Sequence, residues 1–111
     1  MRLNVSDSFP AVVNDPELYE RALEILLKTL GSERVSVLTD VPMTADDFAH
    51  YLEAVPAVYI KLGCAPAEGS VYPLHHHCFD IDDRVIWTGV EAVSSILLDT
   101  MEARVAEEMR A

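Results

Sequence analysis

Basic residues and cysteines are scarce in this sequence. Eight Lys and Arg stand against nineteen Asp and Glu in 111 residues, a formal net charge of -11. That excess repels phosphate backbones and anionic bilayers, so nucleic acid and acidic membrane surfaces are excluded as partners. Only two cysteines occur, Cys64 and Cys78. A small secreted disulfide scaffold normally carries more. No apolar run approaches the ~20 residues that span a bilayer. The opening Met1-Arg2-Leu3-Asn4 has no apolar h-region of a signal peptide. Together these absences predict a cytoplasmic chain with reduced thiols. No internal repeat, linker or low-complexity tract is visible.

What is present is half hydrophobic, enough for one core and one domain over residues 1–111. Leu3-Asn4-Val5 reads as a very short strand. Asn14-Asp15-Pro16-Glu17 is a helix start: Asp15 can cap, Pro16 suits the first helical position, and Glu17 favours the positive end of the helix dipole. Leu18, Ala22, Ile25 and Leu26 recur at helical spacing behind it, and Gly31 sits where a C-terminal cap belongs. Arg34-Val35-Ser36-Val37-Leu38 alternates and predicts a half-exposed strand. Thr44-Ala45-Asp46-Asp47 resembles a capping box ahead of a short helix with Phe48, Tyr51, Leu52 and Val55, which stops before Pro56. Ala57 to Gly63 is apolar on both alternating faces except at Lys61, the pattern of a strand covered on two sides.

Gly63 to Ser70 is loop chemistry. Asp82 or Asp83 then caps a last helix running to about Glu107, with Val85, Ile86, Val90, Val93, Ile96, Leu97 and Met101 in its stripe. Gly89 lies within that stripe and costs roughly 1 kcal/mol of helix propensity against Ala, which predicts close packing at that point. The expected order is β-α-β-α-β-loop-α, an α/β fold with a small layered sheet. Three short strands make a thin sheet, and a layer this thin predicts exposed apolar surface that a partner must cover.

The chemistry-bearing residues gather in Tyr72-Pro73-Leu74-His75-His76-His77-Cys78-Phe79-Asp80-Ile81-Asp82-Asp83. Three of the four histidines, one of the two thiols and three acids fall there. If the segment is extended, alternate residues share a side, and His75 and His77 converge. A self-contained site from His75, His77, Cys78 and Asp80 is one reading, although one short loop seldom supplies the four tetrahedral donors of a closed zinc site. The bland readings weigh more elsewhere. Asp46 and Asp47 are first-turn acids of a helix, Cys64 is a packed small residue, and His50 is a surface or packed histidine.

Four stretches, in order, resemble the C-terminal segment of peptidase family M20, in its amidohydrolase branch of hippurate and indole-acetyl-amino-acid hydrolases. They are Phe9 to Leu18, Met43-Thr44-Ala45-Asp46-Asp47-Phe48-Ala49-His50-Tyr51-Leu52, the pairs Val55-Pro56 and Leu62-Gly63, and Pro73-Leu74-His75 with Phe79-Asp80. The resemblance implies a fold equivalent to the C-terminal part of that family's catalytic domain, with residues 1–8 as the last strand of a lid domain. It implies metal-dependent hydrolysis of amide bonds in N-acyl amino acids or related small molecules. It places the one inherited metal ligand at His75, for a divalent zinc or manganese ion in the full-length family.

The same resemblance implies that the other ligands, the bridging acid and the general-base Glu belong to an N-terminal half not present in these 111 residues. Little or no hydrolase activity is therefore expected of the chain alone, and it need bind no metal by itself. Its expected partner is either that missing half or a second copy of itself, and a small amide substrate would follow only on complementation. The alternative is a non-catalytic, self-associating interaction or small-ligand module derived from the same fold. Thr44, Asp46, Ala57 and the pair His77-Cys78 depart from the family pattern.

Overall fold

Asp15, predicted to open the first helix, does so with its side chain: the Leu18 N–H donates to Asp15 Oδ1 at 2.9 Å. The computed structural model describes residues 10–40 and 46–110. Among these residues are three helices, α1 (Pro16–Leu30), α2 (Phe48–Ala54) and α3 (Arg84–Glu108). Pro16 stands in the first turn of α1, and Gly31 closes it in the left-handed region at φ 86°, its N–H bonded to Leu27 O. The helix order among the described residues is thus α1, α2, α3.

The expected α/β fold with a layered sheet is not what forms: there is no strand among the described residues. Arg34 to Leu38 and Ala57 to Gly63 lie outside any β ladder. Alternation in sequence reports which side chains could be covered, whereas a strand also needs a neighbour for its N–H and C=O groups. Here the second segment finds its partners in the Asn14 side chain and the Asp15 backbone. Asn14 Oδ1 accepts from the Tyr59 N–H at 2.7 Å, and Asn14 Nδ2 donates to Tyr59 O at 3.3 Å. The Asp15 N–H donates to Ala57 O at 3.0 Å. The strand expected at Leu3 to Val5, and Thr44 of the expected capping box, lie outside the described residues.

Helices α1 and α3 pack on each other. Ala22 and Leu26 of α1 and Ala92 of α3 are buried, with Ala49 of α2 the remaining buried residue among those described. Arg21 reaches from α1 to α3, its Nε donating to Asp99 Oδ2 at 2.7 Å and its guanidinium to Asp99 O at 3.0 Å. Arg34 ties the segment after α1 to α3 through Thr88 Oγ1 at 2.7 Å. A Cβ built on Gly89 would stand 3.0 Å from Leu62 Cδ2. The close approach expected at Gly89 is therefore made to the extended 57–63 segment.

The assembly is a slab 59 × 48 × 21 Å. Its radius of gyration is 17.7 Å, where a compact chain of this length has about 13 Å. Its accessible surface is 9661 Å², against roughly 6,100 Å² for a folded monomer of this mass. Many large apolar side chains are exposed on it. Ile86, Val90, Val93, Leu97 and Met101 follow one another at helical spacing along α3, and all are exposed. They form a face distinct from the one that carries Ala92 and Asp99 to α1.

Candidate metal-ligand loop

The loop before α3 is anchored at both ends. The Asp82 N–H donates to Cys64 O at 3.0 Å, fixing the loop's exit beside the end of the 57–63 segment. Asp82 Oδ1 then accepts the Arg84 N–H at 3.0 Å and opens α3, while both its oxygens accept from the Arg84 guanidinium. Those charge-assisted hydrogen bonds, more than the simple proximity of opposite charge, hold the Asp82 carboxyl down to about 2. The same pair pushes the Arg84 guanidinium up.

Between these anchors the chain turns instead of running extended. The His76 N–H donates to Pro73 O at 3.1 Å, and the Phe79 N–H to His76 O at 2.9 Å. His75 sits inside the first turn at φ 70°, a left-handed conformation that histidine adopts more readily than most side chains. The ring of Tyr72 stacks on His76 with centroids 4.5 Å apart and planes 10° from parallel. His76 in turn stacks on His77, 4.4 Å away at 29°. The Cys78 N–H donates to His76 Nδ1 at 3.1 Å.

This turn decides which donors meet. One ligand atom from each of His76, His77 and Cys78 lies within 4.8 Å of the others, His76 half-buried and the other two exposed. His75 and Asp80 are not in the group. Asp80 Oδ1 instead accepts the Ile81 N–H at 2.9 Å. Of the four-donor set His75, His77, Cys78 and Asp80, the structure therefore brings together His77 and Cys78 only. It adds His76, which strand-like alternation had placed on the opposite side.

His75 itself is exposed. It offers one open imidazole on an anchored loop, which fits a single ligand of a divalent ion. It belongs to no group of three donors among the described residues.

The remaining candidates have structural partners. Asp46 Oδ1 accepts the Phe48 N–H at 2.9 Å and so caps α2, and Asp46 Oδ2 accepts the Tyr59 hydroxyl at 3.0 Å. That hydrogen bond to a carboxylate, then the charge of Asp46 and then burial, push the Tyr59 hydroxyl up from its ordinary value. Phe48 packs its ring 5.4 Å from Tyr59. Neither Asn14 nor Tyr59 stood out in the sequence, yet they join α1 and α2 to the 57–63 segment. His50 lies 3.5 Å from Glu53 on α2. Cys64 is a free, half-buried thiol.

The family model for peptidase family M20/M25/M40 matches residues 1–99. The chain belongs to this family. Among its relatives is a probable hydrolase of Synechocystis sp., 30% identical over 93 residues, covering 83% of this chain and 24% of the relative. A putative amidohydrolase of Bacillus subtilis is 31% identical over 87 residues, 78% of this chain and 22% of the relative. An IAA-amino acid hydrolase of Arabidopsis thaliana is 27% identical over 89 residues, 79% and 19% respectively. The chain thus spans about a quarter or less of the length of these relatives. No solved structure matches it. Among the described residues no helix is long and apolar enough to cross a membrane.

Proposed function

We propose that this chain is the C-terminal portion of a metal-dependent M20 amidohydrolase acting on the amide bond of N-acyl amino acids or similar small molecules. The observation that carries the reading is the family match over residues 1–99, which includes the Pro73-Leu74-His75 and Phe79-Asp80 segment. In this reading His75 supplies one imidazole to a divalent ion whose other ligands come from outside these residues. The ion, when bound, polarises the amide carbonyl and generates hydroxide near neutral pH.

The contribution of this chain is positional. The Asp82 to Cys64 bond and the start of α3 hold the loop, and the turn at Pro73 to His76 presents His75 to solvent. His75 belongs to no group of three or more donors among the described residues. In this reading the other ligands and the general base come from the rest of an M20 hydrolase, which is the proposed partner, and the chain alone is expected to be inactive. Co-expression with that part should restore hydrolysis of an N-acyl amino acid, and His75→Asn should abolish the restored activity. Turnover by the isolated chain, or full activity of the His75→Asn complex, would refute the reading.

One observation favours a second reading, a self-associating module without catalysis. The exposed α3 face is apolar at five successive positions, Ile86, Val90, Val93, Leu97 and Met101, and large exposed patches mark interaction sites. Sedimentation distinguishes the readings. A concentration-dependent dimer that Leu97→Glu dissolves supports the module, and a monomer at every concentration removes it.

A further inference from the structure

We propose that His76, His77 and Cys78 form a zinc-binding site of their own, separate from any ion that His75 ligates. Three features of the loop support it. First, consecutive residues in extended chain point to opposite sides. The paired turns closed by Pro73 O and His76 O abolish that alternation and put three adjacent donors within 4.8 Å of one another. Second, one ring is held: Tyr72 stacks on His76, so that half-buried imidazole is ordered before any ion arrives, while the exposed His77 must leave its stack on His76 to turn its lone pair to the ion. Third, His76 accepts the Cys78 N–H at Nδ1. Its lone pair is thus on the nitrogen that faces residue 78, and its ring proton is on Nε2.

The donor set selects the ion. Two neutral imidazoles and one thiolate suit a borderline first-row ion and not the hard cations Mg²⁺ or Ca²⁺. Zinc binds imidazole nitrogen at about 2.0–2.1 Å and thiolate at about 2.3 Å, with tetrahedral geometry. Donors in such a shell are about 3.3–3.8 Å apart by that geometry. The cluster must close by about 1 Å, which rotation of the exposed His77 and Cys78 side chains supplies. On binding, the Cys78 thiol releases its proton to solvent as the Zn–S bond forms, and the ion replaces the Cys78 N–H at the His76 lone pair. No electron is transferred. Water completes the fourth position, since Asp80 is committed to the Ile81 N–H.

Cobalt(II) titration of the full chain tests the site, because thiolate ligation gives a ligand-to-metal charge-transfer absorption and tetrahedral geometry gives intense d–d bands. The expected result is one equivalent per chain with both signatures, displaced by zinc. Cys78→Ser should abolish the charge-transfer band. His77→Ala and His76→Ala should each weaken zinc binding by about tenfold or more in competition with a chromophoric chelator. Cys64→Ser and His75→Asn should leave the spectrum and affinity unchanged. Circular dichroism showing wild-type helix content establishes that each variant is folded. The proposal is overturned if wild type gives no charge-transfer band, if the band survives Cys78→Ser, or if Cys64→Ser or His75→Asn removes it. The readout is independent of hydrolysis, so loss of the M20 reading and loss of this site are separable.

Discussion

Asn14 uses its side-chain amide to make with Tyr59 the two hydrogen bonds that a neighbouring strand would make with its backbone. Its Oδ1 takes the Tyr59 N–H at 2.7 Å and its Nδ2 reaches Tyr59 O at 3.3 Å. One residue thereby couples the entry of α1 to the 57–63 segment. Asn14→Ala removes both bonds and leaves a part-buried N–H and C=O without them. Each such bond is worth about 0.5–1.5 kcal/mol net, so a loss of about 1–3 kcal/mol for the two is expected in urea unfolding. Asn14→Asp keeps the acceptor but sets a charge against Tyr59 O, and it should rescue little of that loss.

Arg21 and Asp99 form the polar clasp of the α1–α3 pair. The side chains are 41% and 44% exposed, so solvent screens the charge and the coupling is that of a surface pair with good geometry. A double-mutant cycle with Arg21→Met and Asp99→Ala should return a coupling of about 0.5–1 kcal/mol. It should shrink further in high salt. A coupling near zero at low salt would show that the buried Ala22, Leu26 and Ala92 hold the helices without it.

Gly89 sets two effects against each other. Alanine there gains about 0.8–1 kcal/mol of helix propensity. Against it, the new Cβ would meet Leu62 Cδ2 at 3.0 Å. That atom is the end of a flexible, exposed side chain, which can rotate aside. Propensity wins, and Gly89→Ala should raise the thermal midpoint, with a net gain of about 0.5 kcal/mol. Gly89→Leu extends the clash beyond what Leu62 can yield and should lower it.

Asp82 makes the start of α3 sensitive to acid. Its folded-state carboxyl titrates near 2, below its ordinary value of 3.8, because of the Arg84 hydrogen bonds. The stabilisation is therefore complete above about pH 4 and is lost as pH falls through about 2. Carbon-detected NMR titration should give a midpoint near 2 for Asp82, and Arg84→Ala should move it back toward the ordinary carboxylate range. A midpoint unchanged by Arg84→Ala would mean that the hydrogen bonds are not formed in solution.

The helices were legible because their boundaries are written in local chemistry. Asp15-Pro16 before a 3.6-residue period and Gly31 after it fix α1 without reference to anything distant. The expected sheet does not form among the described residues, because pairing is a property of two segments and the alternation at Arg34 to Leu38 belongs to one. The same limit governed the loop. Treating residues 75–80 as extended put His75 with His77 and set His76 apart. The hydrogen bond from the His76 N–H to Pro73 O reverses that grouping, and the only hint of it in the sequence is proline at the turn's start. Likewise Asn14 was read as part of a helix start, and its longer reach to Tyr59 has no sequence signature.

The bare α3 face sits on a chain with a net charge of -11. Coulomb repulsion between molecules works across about 10 Å in 0.1 M salt and only about 3 Å in 1 M salt. Attraction between oily helix faces does not fade in that way, and sulfate or phosphate strengthens it. If the α3 faces do associate, ionic strength is the expected dial: dilute buffer should keep the molecules apart, and kosmotropic salt should draw those faces together.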